Sequence, residues 1–293
     1  MLQAEKRASL AARVRARELV IAPGVFDLIS TKIADAQGHA ALYMTGYGTV
    51  ASFLGLPDAG LASFTDMCGR AAAMAQASKA PLIADADTGY GGLLNVAHTV
   101  RGYESAGVAA IQLEDQEFPK KCGHTSGKRV IPAADMARKI EVACASRADP
   151  NFLVIARTDA RTTLGLAEAI DRARAYRAAG ADVLFVEALE SEGEFAEVAA
   201  AIDAPLLANM VEGGKSPLLP ASRLRELGYA IAIYPGTGFM AAAAALQSAY
   251  QHLLATGSSR ELPVPLKSLA EMHELLGFEQ VWAFEKRWLS PES

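Results

Sequence analysis

Cysteine is scarce in this chain: Cys68, Cys122 and Cys144 are the only three in 293 residues. An odd, small number argues against a disulfide framework and for a reducing compartment. Long apolar runs are missing too. Hydrophobic residues make up 51% of the sequence, but they are divided into short stretches, none able to span a bilayer. Nor is there an excess of positive charge. Acids and bases are interspersed and the net charge is −5, which excludes a basic stripe for nucleic acid. An anionic substrate must therefore be drawn in by local groups. The basic start (Lys6, Arg7, Arg13, Arg15 and Arg17) is interrupted by Glu5 and Glu18 and runs straight into a first strand. It reads as a helix lying across the fold instead of a transit peptide, so a cytoplasmic location is expected.

What is present is a rhythm. Eight short apolar runs, at 20–25, 41–45, 81–87, 109–115, 153–159, 183–187, 205–209 and 230–234, all but the first ending in a polar residue, give way to helical stretches. That alternation predicts an α/β protein built as a (β/α)8 barrel of the TIM type. Such barrels do their chemistry at the carboxyl ends of the strands. The candidates there are Asp27, Tyr43, Thr45, Asp85, Asp87, Glu114, Arg157, Asp159, Glu187, Asn209 and Tyr234. The barrel is expected over residues 1–256. The stretch 256–265 (TGSSRELPVP) has linker composition, and 268–289 has a helical pattern rich in aromatics. Residues 257–293 thus read as a linker and a C-terminal helix that packs on its own barrel or on a neighbouring subunit.

Two stretches carry chemistry. In 84–92 (ADADTGYGG), strand alternation would turn Asp85 and Asp87 the same way. Two carboxylates so close repel each other unless a cation lies between them or one is protonated. All-oxygen ligands suit Mg2+, with Asp58 and Glu114 placed to hold coordinated water. Capping of the next helix with salt bridges to Lys or Arg would explain the same pair. The second stretch, 119–124 (PKKCGH), opens a long pattern-free segment at 116–131 of the kind that often forms an active-site lid. It sets Cys122 beside Lys121 and His124, with Gly123 as a hinge, and neighbouring cations favour a thiolate. A solvated basic loop is the plainer reading. Arg157 could grip a carboxylate with two prongs or pair with Asp159 or Glu187. Tyr43, Thr45, Gly46 and the backbone at Tyr47 would offer hydrogen bonds, and Asn209 an amide.

Across nearly its whole length the chain resembles the phosphoenolpyruvate mutase/isocitrate lyase superfamily. The matching segments are 43–48 (YMTGYG), 54–58 (LGLPD), 84–91 (ADADTGYG), 112–115 (QLED), 120–124 (KKCGH), 156–160 (ARTDA) and 209–214 (NMVEGG). The resemblance implies a barrel binding Mg2+, or Mn2+ in its place. Asp87 would ligate the metal directly, and Asp85, Asp58 and Glu114 would act largely through water. It also implies a homotetramer, a dimer of helix-swapped dimers, with no nucleic-acid or membrane partner.

The loop places the chain with the superfamily's lyases, since its phosphonomutases resemble one another in carrying asparagine where Cys122 stands. The implied activity is cleavage of a 2-hydroxy dicarboxylate to an α-keto acid. Cys122 would protonate the departing carbanion, Arg157 and the metal would stabilise oxygen charge, and Tyr43 would handle the hydroxyl proton. Lys121 and His124 would position the thiol and a substrate carboxylate, Glu187 would orient its neighbours, and Thr45, Gly46, Tyr47, Gly123 and Asn209 would contact substrate. Residues 209–214 resemble the branch acting on 2-alkylmalates such as 2,3-dimethylmalate. Val211 and Met240 stand where methylisocitrate lyases carry threonine and arginine, and Pro235 where oxaloacetate hydrolases carry serine. Methylisocitrate cleavage, oxaloacetate hydrolysis, carboxyphosphonoenolpyruvate mutase chemistry and a catalytically silent barrel are the alternatives.

Overall fold

The structure is a computed structural model that describes residues 2–121, 123 and 127–289. Eight parallel strands form its centre: β1 (Val20–Val25), β2 (Leu42–Met44), β3 (Leu82–Asp85), β4 (Ala110–Glu114), β5 (Leu153–Thr158), β6 (Val183–Val186), β7 (Leu207–Asn209) and β8 (Ile231–Tyr234). Their order is β6-β5-β4-β3-β2-β1-β8-β7. The remaining gap is spanned by a parallel bridge between Leu184 and Leu206, so the sheet closes on itself as a TIM-type barrel. Each anticipated run contains its strand. Strands β2 to β6 stop one or two residues before the polar ends of their runs, whereas β1, β7 and β8 reach the last residue of theirs.

The strands read as nearly continuous apolar runs because both of their faces are covered. Outward residues such as Leu42, Val154 and Leu184 pack against the surrounding helices in one large core. Inward residues, among them Val20, Ile83, Leu153, Val183 and Ile231, form a second core inside the barrel. The N-terminal helix Gln3–Arg15 adds Leu10, Ala11 and Val14 to that inner core. It plugs the amino-terminal end of the barrel, as the interrupted basic start suggested. Lys6, although buried, donates to the carbonyls of Ala75 and Ser78 and so leaves no unpaired charge in the plug.

The chain forms two compact units, Met1–Phe239 and Met240–Ser293. The division falls inside the helix Thr237–Thr256, ahead of the linker at residue 257. Within the second unit, helices Leu269–Leu276 and Phe278–Trp288 join through His273, Phe278 and Trp282, whose rings lie 4.5–6.0 Å apart. No helix among the described residues is long and apolar enough to cross a membrane.

Candidate active site

The carboxyl ends of β2 to β7 converge on a buried, highly charged mouth. Asp85 is the last residue of β3 and Glu114 the last of β4. Asp87 lies beyond β3 in a left-handed turn with φ of 48°, a conformation Asp tolerates better than most residues. It therefore reaches the mouth by a turn and not by strand alternation, and its N–H donates to Asp85 Oδ1 at 3.0 Å. Asp58 arrives from the loop after the second βα turn.

Between Asp58 and Asp87 stands Lys120, 2% exposed, its Nζ 2.5 Å from Asp58 Oδ1 and 2.7 Å from Asp87 Oδ1. The cation that the paired aspartates require is thus, in part, a lysine. Lys121, the residue anticipated to act, turns outward: it is exposed and donates to the carbonyl of Gly127. Its backbone is clamped by Gln116, which accepts from Lys121 N–H and donates to its carbonyl. Lys120 sits in the same motif, but neighbouring side chains of an extended segment face opposite ways, and only contacts show which one enters.

Arg157, from β5, is the second hub. Its Nε and Nη2 grip Asp159 at 2.8 and 3.1 Å, and its remaining edge lies 3.4 Å from both Glu114 and Glu187. The two-pronged grip is therefore spent on Asp159. The looser Nη contacts are the ones an incoming carboxylate could take. Asn209 donates to Glu187 Oε2 at 3.0 Å, and Glu187 Oε1 accepts from Ala188 N–H. Lys128, absent from the sequence reading, pairs with Asp159 at 2.6 Å and donates to the carbonyl of Gly123. Gly123 lies against Arg157 and Glu187, and a Cβ there would fall 2.9 Å from Glu187 Cγ. Cys122 and His124 lie outside the described residues.

The other anticipated residues line the β1–β2 side. Tyr43 donates its hydroxyl to Gln112 Oε1 at 3.1 Å. Burial, and then the charge of Asp85, push its phenol well above its usual range, so it stays protonated. Its oxygen can accept a hydrogen bond, but it is a poor base. Thr45 precedes the helix Gly46–Leu54, whose first N–H groups favour an anion. Gly46 is required by contact, since a Cβ there would lie 2.6 Å from Asp85 Oδ2. Tyr47 is half exposed, its ring edge-on to Phe239 at 5.8 Å. Asp27 is a helix cap, accepting from Ser30 N–H, and takes no part in the mouth. Gly46→Ala is expected to fold but to displace Asp85. Differential scanning fluorimetry should then show a smaller Mg2+-induced rise in melting temperature than the unaltered chain shows.

The charge balance of this mouth is unusual. Among the described residues, Asp58, Asp85, Asp87, Glu114, Asp159 and Glu187 gather around Lys120, Lys128 and Arg157. Among the described residues that is six carboxylates against three cations. Burial first, and then the neighbouring aspartates, push Asp87 up to about 7 despite Lys120. Burial likewise raises Asp85 and Glu114, and among the described residues the buried Glu114 Oε1 meets no hydrogen-bond donor. For Asp159, burial is outweighed by Arg157 and Lys128, which hold it down to about 2. A hard divalent cation suits the Asp58, Asp85, Asp87 and Glu114 end, where oxygen donors are crowded and positive charge is short. Among the described residues no three acids converge tightly enough to enclose an ion alone.

The raised Asp87 carries a pH signature. A folded-state value of about 7 lies above the ordinary carboxylate range, so the native protein holds the proton more tightly than the unfolded chain. In chelator, stability should fall as pH rises through the range between the two values, up to about 7. Melting temperatures of Asp87→Asn across that range should be flatter.

A closed barrel whose mouth gathers buried acids and an arginine is the architecture of a barrel enzyme. The sequence profile described as "Phosphoenolpyruvate phosphomutase" matches residues 10–254. The chain is 44% identical to 2,3-dimethylmalate lyase of Eubacterium barkeri over 93% of its length and 94% of that protein. It is 41% identical to 2-methylisocitrate lyase of Aeropyrum pernix, covering 94% and 87%. Among solved structures, oxaloacetate acetylhydrolase bound to 3,3-difluorooxalacetate superposes with a TM-score of 0.93 at 36% identity, covering 99% of each chain. Phosphonopyruvate hydrolase in complex with oxalate and Mg2+ gives a TM-score of 0.88 at 31% identity, covering 99% and 100%. The chain belongs to the phosphoenolpyruvate mutase/isocitrate lyase superfamily and is a carbon–carbon lyase of it.

Proposed function

We propose that this lyase cleaves a 2-alkylmalate-type dicarboxylate, such as 2,3-dimethylmalate, to pyruvate and a carboxylic acid, with Mg2+ as cofactor. The observation that carries the reading is the mouth itself, where a cation-deficient acid cluster and Arg157 lie side by side. Asp87 would hold the metal, with Asp85, Asp58 and Glu114 acting largely through its waters. Bound there, Mg2+ would polarise the substrate's 2-oxygen and carboxylate.

The protein's own groups then have separable tasks. Arg157 receives a substrate carboxylate on the edge that now rests loosely on Glu114 and Glu187. The first N–H groups of the helix Gly46–Leu54 hold a second anionic oxygen. Tyr43, its proton directed to Gln112, accepts the hydrogen bond of the 2-hydroxyl and orients it. The acid cluster supplies the groups able to take the hydroxyl proton. The C2–C3 bond breaks as the 2-oxygen becomes the keto oxygen of pyruvate, and its electron pair passes to C3. Cys122, next to Gly123, gives C3 its proton, with His124 and Lys121 shaping the surrounding loop. For 2,3-dimethylmalate the balanced products are pyruvate and propionate.

The choice among relatives rests on charge. A tricarboxylate brings one more anionic group, and Val211 and Met240 offer it no charge-assisted hydrogen bond. Each such bond forgone costs about 1.5–3 kcal/mol, or one to two powers of ten in affinity. Pro235, without a hydroxyl, disfavours oxaloacetate hydrolysis in the same way. A coupled pyruvate assay over 2,3-dimethylmalate, 2-methylisocitrate and oxaloacetate tests the reading. The highest kcat/KM is expected for 2,3-dimethylmalate, and turnover of the tricarboxylate alone would reverse the choice. Assembly is proposed to be a cytoplasmic homotetramer, for which light scattering at four times the chain mass is the check.

A further inference from the structure

Lys128 lies outside every motif of the sequence, yet its ammonium is buried at the mouth. Its side chain is 1% exposed. Among the described residues Nζ contacts Asp159 Oδ1 at 2.6 Å and the carbonyl of Gly123, five residues back in the chain. Burying an ammonium costs several kcal/mol unless its contacts offset the loss of water. Neutralising Asp159 is a weak reason for that cost, because Arg157 already grips the same carboxylate with two hydrogen bonds. What Lys128 adds, and Arg157 does not, is a bond to the loop backbone.

That bond reaches a tightly placed residue. Gly123 packs so closely on Arg157 and Glu187 that a side chain would collide with both. Asp159 in turn is anchored from behind, its N–H donating to Asp115 Oδ1 at 2.9 Å. Asp115 also accepts from Thr158, Tyr176 and Arg172, and Arg172 donates to the carbonyl of Ile131, where the loop returns to the barrel. A continuous buried path therefore runs from the scaffold through Asp115 and Asp159 to Lys128 and the Gly123 peptide.

We propose that Lys128 is a positioning residue, tying the Gly123 peptide to the Asp159–Arg157 pair so that the covering loop is registered on the substrate's arginine. The proposal rests on the lyase reading for its kinetic consequence but not for its structural one. A lysine suits the task because its three donors and flexible stem satisfy a carbonyl and a carboxylate that do not share a plane. Removing it leaves Arg157 and the carboxylate cluster in place, so substrate should still bind while the bond-breaking step loses its alignment.

The test compares Lys128→Met and Lys128→Arg with the unaltered chain, using steady-state kinetics, thermal melts and hydrogen exchange of the peptide containing Gly123. For Lys128→Met, kcat should fall about 100-fold, the cost typical of a displacement near 1 Å. KM should change little, and exchange at Gly123 should accelerate roughly tenfold, the mark of a lost local restraint. Lys128→Arg keeps the charge beside Asp159 and therefore folds; it should recover part of kcat and part of the protection together. A lower melting temperature with unchanged kcat and unchanged exchange in Lys128→Met would overturn the proposal, as would recovery of kcat in Lys128→Arg without recovery of protection. If the unaltered chain cleaves none of the 2-hydroxy dicarboxylates, the lyase reading fails, while the exchange measurement still decides whether Lys128 holds Gly123.

Discussion

Arg157→Lys should fold and bind metal yet lose about 100–1,000-fold in kcat/KM, the loss typical when a preorganised electrostatic group is removed. The expectation follows from geometry. Lysine keeps one positive charge among Glu114, Asp159 and Glu187, so the acid cluster stays compensated and the barrel stays closed. It cannot hold Asp159 with two prongs while offering a further edge to a substrate carboxylate. Arg157→Met should do more. It removes the cation that Glu114, Asp159 and Glu187 share, and breaking buried pairs of this kind costs about 3–5 kcal/mol. A clear drop in melting temperature should accompany the loss of turnover. If Arg157→Lys retained kcat/KM within a factor of a few, the arginine would be a structural clasp and the proposed carboxylate grip would be wrong.

Lys120→Met is the second change with a large expected effect. Its ammonium is the partner of both Asp58 and Asp87, and both would be left buried against each other. In chelator the variant should be destabilised by about 3–5 kcal/mol. A divalent cation stabilises only what it binds, in proportion to its affinity and concentration. The Mg2+-induced rise in melting temperature should therefore be larger in Lys120→Met than in the unaltered chain, because the ion then compensates acids that have lost their lysine. Turnover should nevertheless remain about 100-fold low, since the loop segment bearing Lys120 has lost its attachment to the mouth. An equal Mg2+ shift in both proteins would show that lysine and metal do not share these acids.

The barrel was legible because it is written locally. Each strand is a compact apolar run, and its end is marked by a residue such as Asp85, Glu114 or Asn209 that has no place in a core. The mouth was legible in the same residues, since strand ends are placed by the fold alone. What stayed hidden were partners distant in sequence and side chains whose direction a loop decides. Lys120 meets Asp58 across 62 residues, Tyr43 meets Gln112 across 69 and Lys128 meets Asp159 across 31, and no spacing rule encodes those pairs. Lys120 and Lys121 are chemically identical neighbours, and only the contacts of Lys120 with Asp58 and Asp87 show that it is the one that turns inward. Asp87 was anticipated at the mouth, but by strand alternation, whereas the chain brings it there through a left-handed turn.

Identification of the products formed from 2,3-dimethylmalate by mass spectrometry, with Mg2+ and then with a chelator, bears most directly on the central claim. Equimolar pyruvate and propionate in the presence of Mg2+, with none in chelator and none from Cys122→Ala, is the predicted result. Undiminished pyruvate in chelator, or none under any condition from any 2-hydroxy dicarboxylate, would contradict it.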